Sequence, residues 1–191
     1  MKMLLISISI LVSVFQMKVT KRAEPIVAGN AAAIVVVKDL DANAKPYVYF
    51  SFASGKDVPA SEAKTRNWDI AFSKTTIAVN GGTSGPGEGG AMVVEKPFTS
   101  LTEAPKEGYK SDSEAGYAIP GGSGNSWYKY DMGVHAILPI VGRTILLKTA
   151  EGKYAKIEII SYYKGAPEEV PTEESSYYTF RYVLADANGK F

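Results

Sequence analysis

NWDIAFSKTTIAVNGGTSGPGEGG, residues 67–90, runs from an aromatic, β-branched segment into a stretch with six glycines in its last ten positions. A phosphate-cradling glycine loop opens a helix, and a P-loop ends in Gly-Lys-Ser/Thr. Neither follows here, because Ala91-Met92-Val93-Val94 is again strand-like. The glycines are therefore read as a connection between two strands, supplying positive φ or close backbone approach. The chain around this stretch is thus expected to be built of strands.

Outward from this point the same pattern repeats. AIVVVK at 33–38, PYVYFSFA at 46–53, AMVVEK, SWYKY, RTILLK, KYAKIEIISYY and SSYYTFRYVL are short runs of β-branched and aromatic residues, bounded at most junctions by Gly, Pro, Ser or Asn. In the second of them Tyr47, Tyr49 and Ser51 share one face while Phe50 and Phe52 share the other, an apolar surface on each side of a pleated strand. Only SEAKTRN at 61–67 competes as a helix, of one or two turns, with Ser61 as its cap and Glu62 in its first turn. Eight to ten strands separated by loops rather than helices predict an antiparallel all-β fold with at most one or two short helices.

The ends and the composition bound the function. MKMLLISISILVSVFQMK places Lys2 before an apolar run from Leu4 to Phe15, too short to span a bilayer and suited to an export signal. Residues 1–24 are read as a signal peptide or leader, and residues 25–191 as one domain. Export to the outer-membrane surface, the periplasm or the medium follows, without a lipid attached at cysteine, since the chain has none. The absence of cysteine also removes thiolate nucleophiles, disulfides and cysteine-bound metals. With 21 basic and 20 acidic residues scattered through 191 positions, the charge pattern argues against a nucleic-acid-binding face. A single histidine, His135, leaves no nucleophile and base pair to assemble, so the chain is not read as an enzyme. The loop GAPEEVPTEESS at 165–176 reads as a solvated hairpin connection, because glycosidase carboxylates come from separate rigid positions across a cleft.

Taken in order, YVYFSF, NWDIAFSKTTIAVNGGTSGPGEGGA, SWYKYDMG, TAEGKYAKIEIISYY and YYTFRY resemble the HmuY family over residues 46–184. The strongest pieces are Trp68-Asp69 leading into Asn80-Gly81-Gly82-Thr83-Ser84-Gly85, and Gly152-Lys153-Tyr154-Ala155-Lys156. The family comprises secreted or surface haem-binding proteins of Gram-negative anaerobes. The resemblance implies an all-β fold and, in haem-binding members, a surface pocket holding an iron porphyrin through two axial histidines or methionines. The second axial position lies shortly after the tryptophan matched by Trp127, where Met132 stands. A thioether is a soft neutral ligand that favours reduced iron.

The first axial ligand in the family comes from a longer insertion. Here residues 91–126 hold no histidine; Met92 is the only sulfur and is expected to face the core, and Tyr109 and Tyr117 are the other side chains able to ligate ferric haem. His135 offers a second route through its imidazole. In a continuous strand residues 132 and 135 point to opposite faces, and they converge only if Gly133 bends the chain. Tyr128 and Tyr130 share a face beside Met132 and could wall a flat apolar ring. The expected cofactor and partner are haem and a TonB-dependent outer-membrane haem receptor. The alternative is a surface module of the same fold without haem ligation, binding another small molecule, a glycan or a protein.

Overall fold

The computed structural model describes residues 24–26, 32–43, 46–169 and 171–191, so the predicted leader lies outside the described residues except for its last position, Glu24, which opens the first strand. Its strands are β1 (Glu24–Ile26), β2 (Ile34–Asp41), β3 (Val48–Ser51), β4 (Lys56–Val58), β5 (Ile70–Ser73), β6 (Thr76–Val79), β7 (Gly90–Val94), β8 (Tyr128–Asp131), β9 (Ala136–Pro139), β10 (Thr144–Lys148), β11 (Tyr154–Tyr163) and β12 (Ser175–Leu184). They form a six-stranded sheet in the order β1-β2-β12-β11-β10-β7, a four-stranded sheet β4-β3-β5-β6, and the two-stranded hairpin β8-β9. Every pairing is antiparallel. No described helix is long and apolar enough to cross a membrane.

The alternation within each strand explains why the two larger sheets face one another. Tyr178, Phe180 and Tyr182 leave β12 on one side and meet Phe50 and Phe72 from the four-stranded sheet, with ring centroids 4.7 to 6.0 Å apart. Ile145, Leu147, Ile157, Ile70, Ile77 and Val79 complete this shared core. The opposite face of β3 carries Tyr49, which packs edge-on against Trp68 at 4.9 Å in a smaller outer cluster with Ala71 and Ala78. The two apolar faces expected for the Tyr47–Phe52 segment are thus both used.

Polar tips fasten the layers. The Tyr182 hydroxyl donates to the Phe52 carbonyl at 2.9 Å and that of Tyr178 to the Lys74 carbonyl at 2.8 Å. Asp69 accepts the backbone N–H of Phe52 through one oxygen and of Ala150 through the other, at 2.8 and 3.0 Å. Burial raises its carboxyl above the usual range, the two N–H donors pulling the other way. Burial also pushes the Tyr182 phenol up to about 12, helped by Asp69, and raises that of Tyr178 well above its ordinary value. A group that ionises less readily folded than unfolded contributes stability below its unfolded pKa of about 10, lost as pH rises through its folded value. Urea unfolding midpoints should therefore fall between about pH 10 and 12, each such tyrosine subtracting up to about 1.4 kcal/mol per pH unit. Tyr182→Phe should flatten part of that slope; an unchanged slope would remove Tyr182 as a cause.

The glycine run is a packing device. A Cβ on Gly82, at φ +61°, would lie 1.8 Å from the Asp112 carbonyl oxygen, and one on Gly81 would lie 2.1 Å from that of Gly89. The fully buried Asn80 holds the loop from inside, donating to the carbonyls of Thr65 and Trp68 and accepting the Gly87 N–H at 2.9 Å. The buried Asp112 braces it further, accepting from Val79 N–H at 3.0 Å and Ala118 N–H at 2.7 Å. The turn reading of residues 80–90 holds, and crowded backbone is the reason.

Three local expectations are corrected. WDIAFSKTTIAV is a hairpin, β5 and β6, turned at Lys74 with φ +49°, rather than one strand. The helix over 61–67 shrinks to a single 3-10 turn at Ala60–Glu62, preceded by Pro59 with no side-chain cap, so Ser61 lies inside it; the other short helix is Phe98–Ser100. Met92 alternates with the core residues Ala91 and Val93 and turns to the outer face beside Gly108.

Candidate functional site

Met132 and His135 lie in neither strand of a continuous ribbon: β8 ends at Asp131, β9 begins at Ala136, and the four residues between are the turn. The Asp131 carboxylate accepts the Gly133 N–H at 3.0 Å, the contact that chiefly holds its pKa below the usual range. This Asx-type closure explains the tight reversal. The opposite-faces argument for 132 and 135 therefore does not apply. The turn places Met132, 72% exposed, within three residues of the exposed His135.

His135 is held in the left-handed region at φ +52°, a cost for a residue with a side chain. Its Nδ1 lies 3.1 Å from the Tyr130 hydroxyl. In the tautomer in which Nδ1–H donates to that oxygen, Nε2 keeps its lone pair for a metal. Tyr130 is itself fixed, since its N–H donates to the Ser123 hydroxyl at 2.7 Å. Tyr128, one step down the same face, is buried against Trp127 at 4.6 Å and belongs to the core beneath the hairpin. The structure thus gathers Tyr130, Met132 and His135 at the tip and places Tyr128 below them.

Below the tip lies an aromatic bed. Trp127 is 5.6 Å from Tyr162 and 5.3 Å from Tyr178, and the Tyr163 hydroxyl accepts the Ile137 N–H at 2.9 Å. These contacts seat the hairpin on β11 and β12, strands that sequence reading could assign to a core but not to this hairpin. The same contacts bring the loop after β11 alongside. Val134 and Leu138 from the hairpin, with Glu168, Glu169 and Pro171 from that loop, line a cleft of about 610 Å³. That size lies within the range of small-molecule sites, about 300–1,000 Å³.

Backbone strain gathers at the same end. Of the five described non-glycine residues with positive φ, Ala166 and Ser176 flank the loop, His135 stands on the tip, and Asp39 accepts the Gly165 N–H at 2.6 Å. Such strain is concentrated at functional sites more often than elsewhere. The loop residues were missed as site members because they lie some thirty positions from the hairpin and carry no motif; only their excess of glutamates was visible. Tyr109 and Tyr117 are placed elsewhere in the chain's packing. Tyr109 stacks near Tyr154 at 5.4 Å with its phenol pushed up to about 12 by burial, and the Tyr117 hydroxyl pairs with that of Tyr47 at 2.8 Å.

Residues 43–137, which include the glycine loop and the whole hairpin tip, match the family model described as HmuY protein. The chain belongs to the HmuY family. Three crystal structures share the fold. A candidate lipoprotein of Bacteroides fragilis is 19% identical, with a TM-score of 0.55 over 85% of this chain and 94% of its own. The apo HmuY analogue of Tannerella forsythia is 17% identical, with a TM-score of 0.50 over 78% and 96%. A candidate HmuY-like haem-binding protein of Bacteroides vulgatus is 14% identical, with a TM-score of 0.51 over 85% and 96%. No curated protein sequence matches the chain. The acidic wall of the cleft, Glu168, Glu169 and Pro171, lies outside the segment matched to HmuY.

Proposed function

We propose that this HmuY-family chain is an exported, non-enzymatic haem-binding protein that takes up haem at the β8–β9 tip and passes it to a TonB-dependent outer-membrane receptor. The observation that carries the reading is the hairpin turn. It sets two side chains able to ligate iron, Met132 and His135, on either side of Val134, which lines the cleft together with Leu138, Pro171 and two glutamates. A porphyrin needs apolar walls and a donor beside them. The donor set fits the group: a thioether and an imidazole nitrogen both bind haem iron. Haem would supply an iron centre; this chain would hold it through a donor from Met132 or His135, and Tyr130 would orient the imidazole. Two ligands so close in sequence do not occupy opposite faces of one flat ring, so one of the pair serves.

The test is a haemin titration of the protein, oxidised and dithionite-reduced, followed in the Soret and Q bands. A saturating one-to-one spectrum distinct from free haemin, tighter on reduction, is the expected result. Absence of saturation in both states would sink the haem reading and leave a surface module of the same fold for another ligand.

A further inference from the structure

The sequence holds two Asn-Gly pairs, Asn80-Gly81 and Asn188-Gly189, and the fold treats them in opposite ways. In such a pair the glycine nitrogen, with no Cβ to screen it, can attack the asparagine carboxamide. Asn80 is fully buried; its carboxamide donates to the Thr65 and Trp68 carbonyls at 2.9 and 2.7 Å and accepts the Gly87 N–H at 2.9 Å. Gly81 is wedged against the Gly89 carbonyl. Neither reacting group can approach the other without dismantling the loop.

Asn188 is exposed, and its carboxamide bonds back to Asp186 in the same turn. The Gly189 N–H donates to the Asp186 carbonyl at 3.0 Å, while the Asp186 carboxylate accepts the Asn188 and Lys190 N–H groups, both at 2.8 Å. The partners of both reacting groups are thus local, and an exposed turn of this kind opens at little cost. The same turn clasps a strap to the large sheet. The Ala104 N–H donates to the Gly189 carbonyl at 2.8 Å, the Phe191 N–H donates to the Thr102 carbonyl at 3.0 Å, and Lys190 pairs with Glu103. Beneath the strap Lys156, which alternates with the core residues Ala155 and Ile157, donates to the Phe98 and Leu101 carbonyls at 3.0 and 2.6 Å.

We infer that Asn188 is a site of spontaneous deamidation whose conversion releases this clasp. The Gly189 nitrogen gives its proton to solvent base and bonds to Asn188 Cγ; the Cγ–Nδ2 bond breaks and ammonia leaves. Water then opens the resulting succinimide at either carbonyl, giving aspartate or isoaspartate at position 188. Either product sets a new carboxylate beside that of Asp186, a like-charge contact. Isoaspartate also adds a methylene to the backbone, carrying Gly189 and Lys190 out of register with Ala104 and Glu103.

The full chain is held folded in mildly alkaline buffer and, in parallel, unfolded in guanidinium chloride, and peptide mapping by mass spectrometry follows positions 80 and 188. In the folded protein position 188 is expected to convert at least about a thousandfold faster than position 80, because reaction at the buried pair waits for an unfolding that the stability of the domain suppresses by that factor or more. In denaturant the two pairs should convert at similar rates. Hydrogen exchange at the Ala104 and Phe191 amides should quicken as position 188 converts and stay slow in N188Q, whose longer side chain does not close the succinimide. Survival of Asn188 in the folded chain while the unfolded sample converts, or equal conversion of the two pairs in the folded chain, would overturn the site. Unchanged exchange at Ala104 and Phe191 in fully converted protein would overturn the release of the clasp.

Discussion

Trp68→Ala should unfold the domain or bring it to the brink. Removing a buried tryptophan costs about 3–5 kcal/mol, against a total stability of about 5–15 kcal/mol for an ordinary domain. The position explains why the upper part of that range applies. Trp68 is 1% exposed, packs edge-on to Tyr49, and its indole N–H donates to the Ala63 carbonyl at 3.2 Å. Its ring also closes over the glycine loop, since a Cβ on Gly85 would come within 2.8 Å of it. Loss of the ring leaves Tyr49, Ala71 and Ala78 facing a void and slackens the loop that Asn80 organises. Circular dichroism with urea titration is the check. A midpoint displaced by less than about 1 kcal/mol of stability would show that the outer cluster is dispensable. Trp68→Phe, which keeps an aromatic ring but not the indole donor, should retain the fold at reduced stability.

The all-β class was legible because period-2 patterning is local: SSYYTFRYVL and TILLK lie in the sequence as they lie in the sheet, as β12 and β10. The Asn80–Gly90 loop was legible for the same reason, since a glycine that must accept a neighbouring carbonyl at contact distance leaves its mark at its own position. Lys74 was not. A non-glycine residue at positive φ turns β5 into β6, and nothing in SKTT announces it. Met92 was misplaced because its strand alternates in the correct period while the phase is set by β10, to which β7 pairs. The site was legible only in halves. Tyr130, Met132 and His135 stood out by chemistry, whereas the cleft wall of Glu168, Glu169 and Pro171 arrives through the long-range seating of the hairpin on Tyr162, Tyr163 and Tyr178. A sequence holds no local record of such a meeting.

Met132→Ala should weaken haem binding by well over tenfold, while His135→Ala should change it little. The turn geometry makes the comparison decisive, because both side chains sit on one four-residue reversal and one iron face can take only one of them. Met132 is 72% exposed on the turn. His135 is already tied to Tyr130, so recruiting its Nε2 requires the tautomer that donates from Nδ1. The oxidation state separates the two further. Thioether ligation favours ferrous haem, so the Met132→Ala loss should be larger after dithionite reduction, whereas an imidazole ligand would be felt in the ferric form as well. Tyr130→Phe then reads the hydrogen bond alone: with Met132 as ligand it leaves haem affinity unchanged, and with His135 as ligand it lowers it. A His135→Ala loss exceeding that of Met132→Ala, accompanied by sensitivity to Tyr130→Phe, would transfer the axial role to the imidazole.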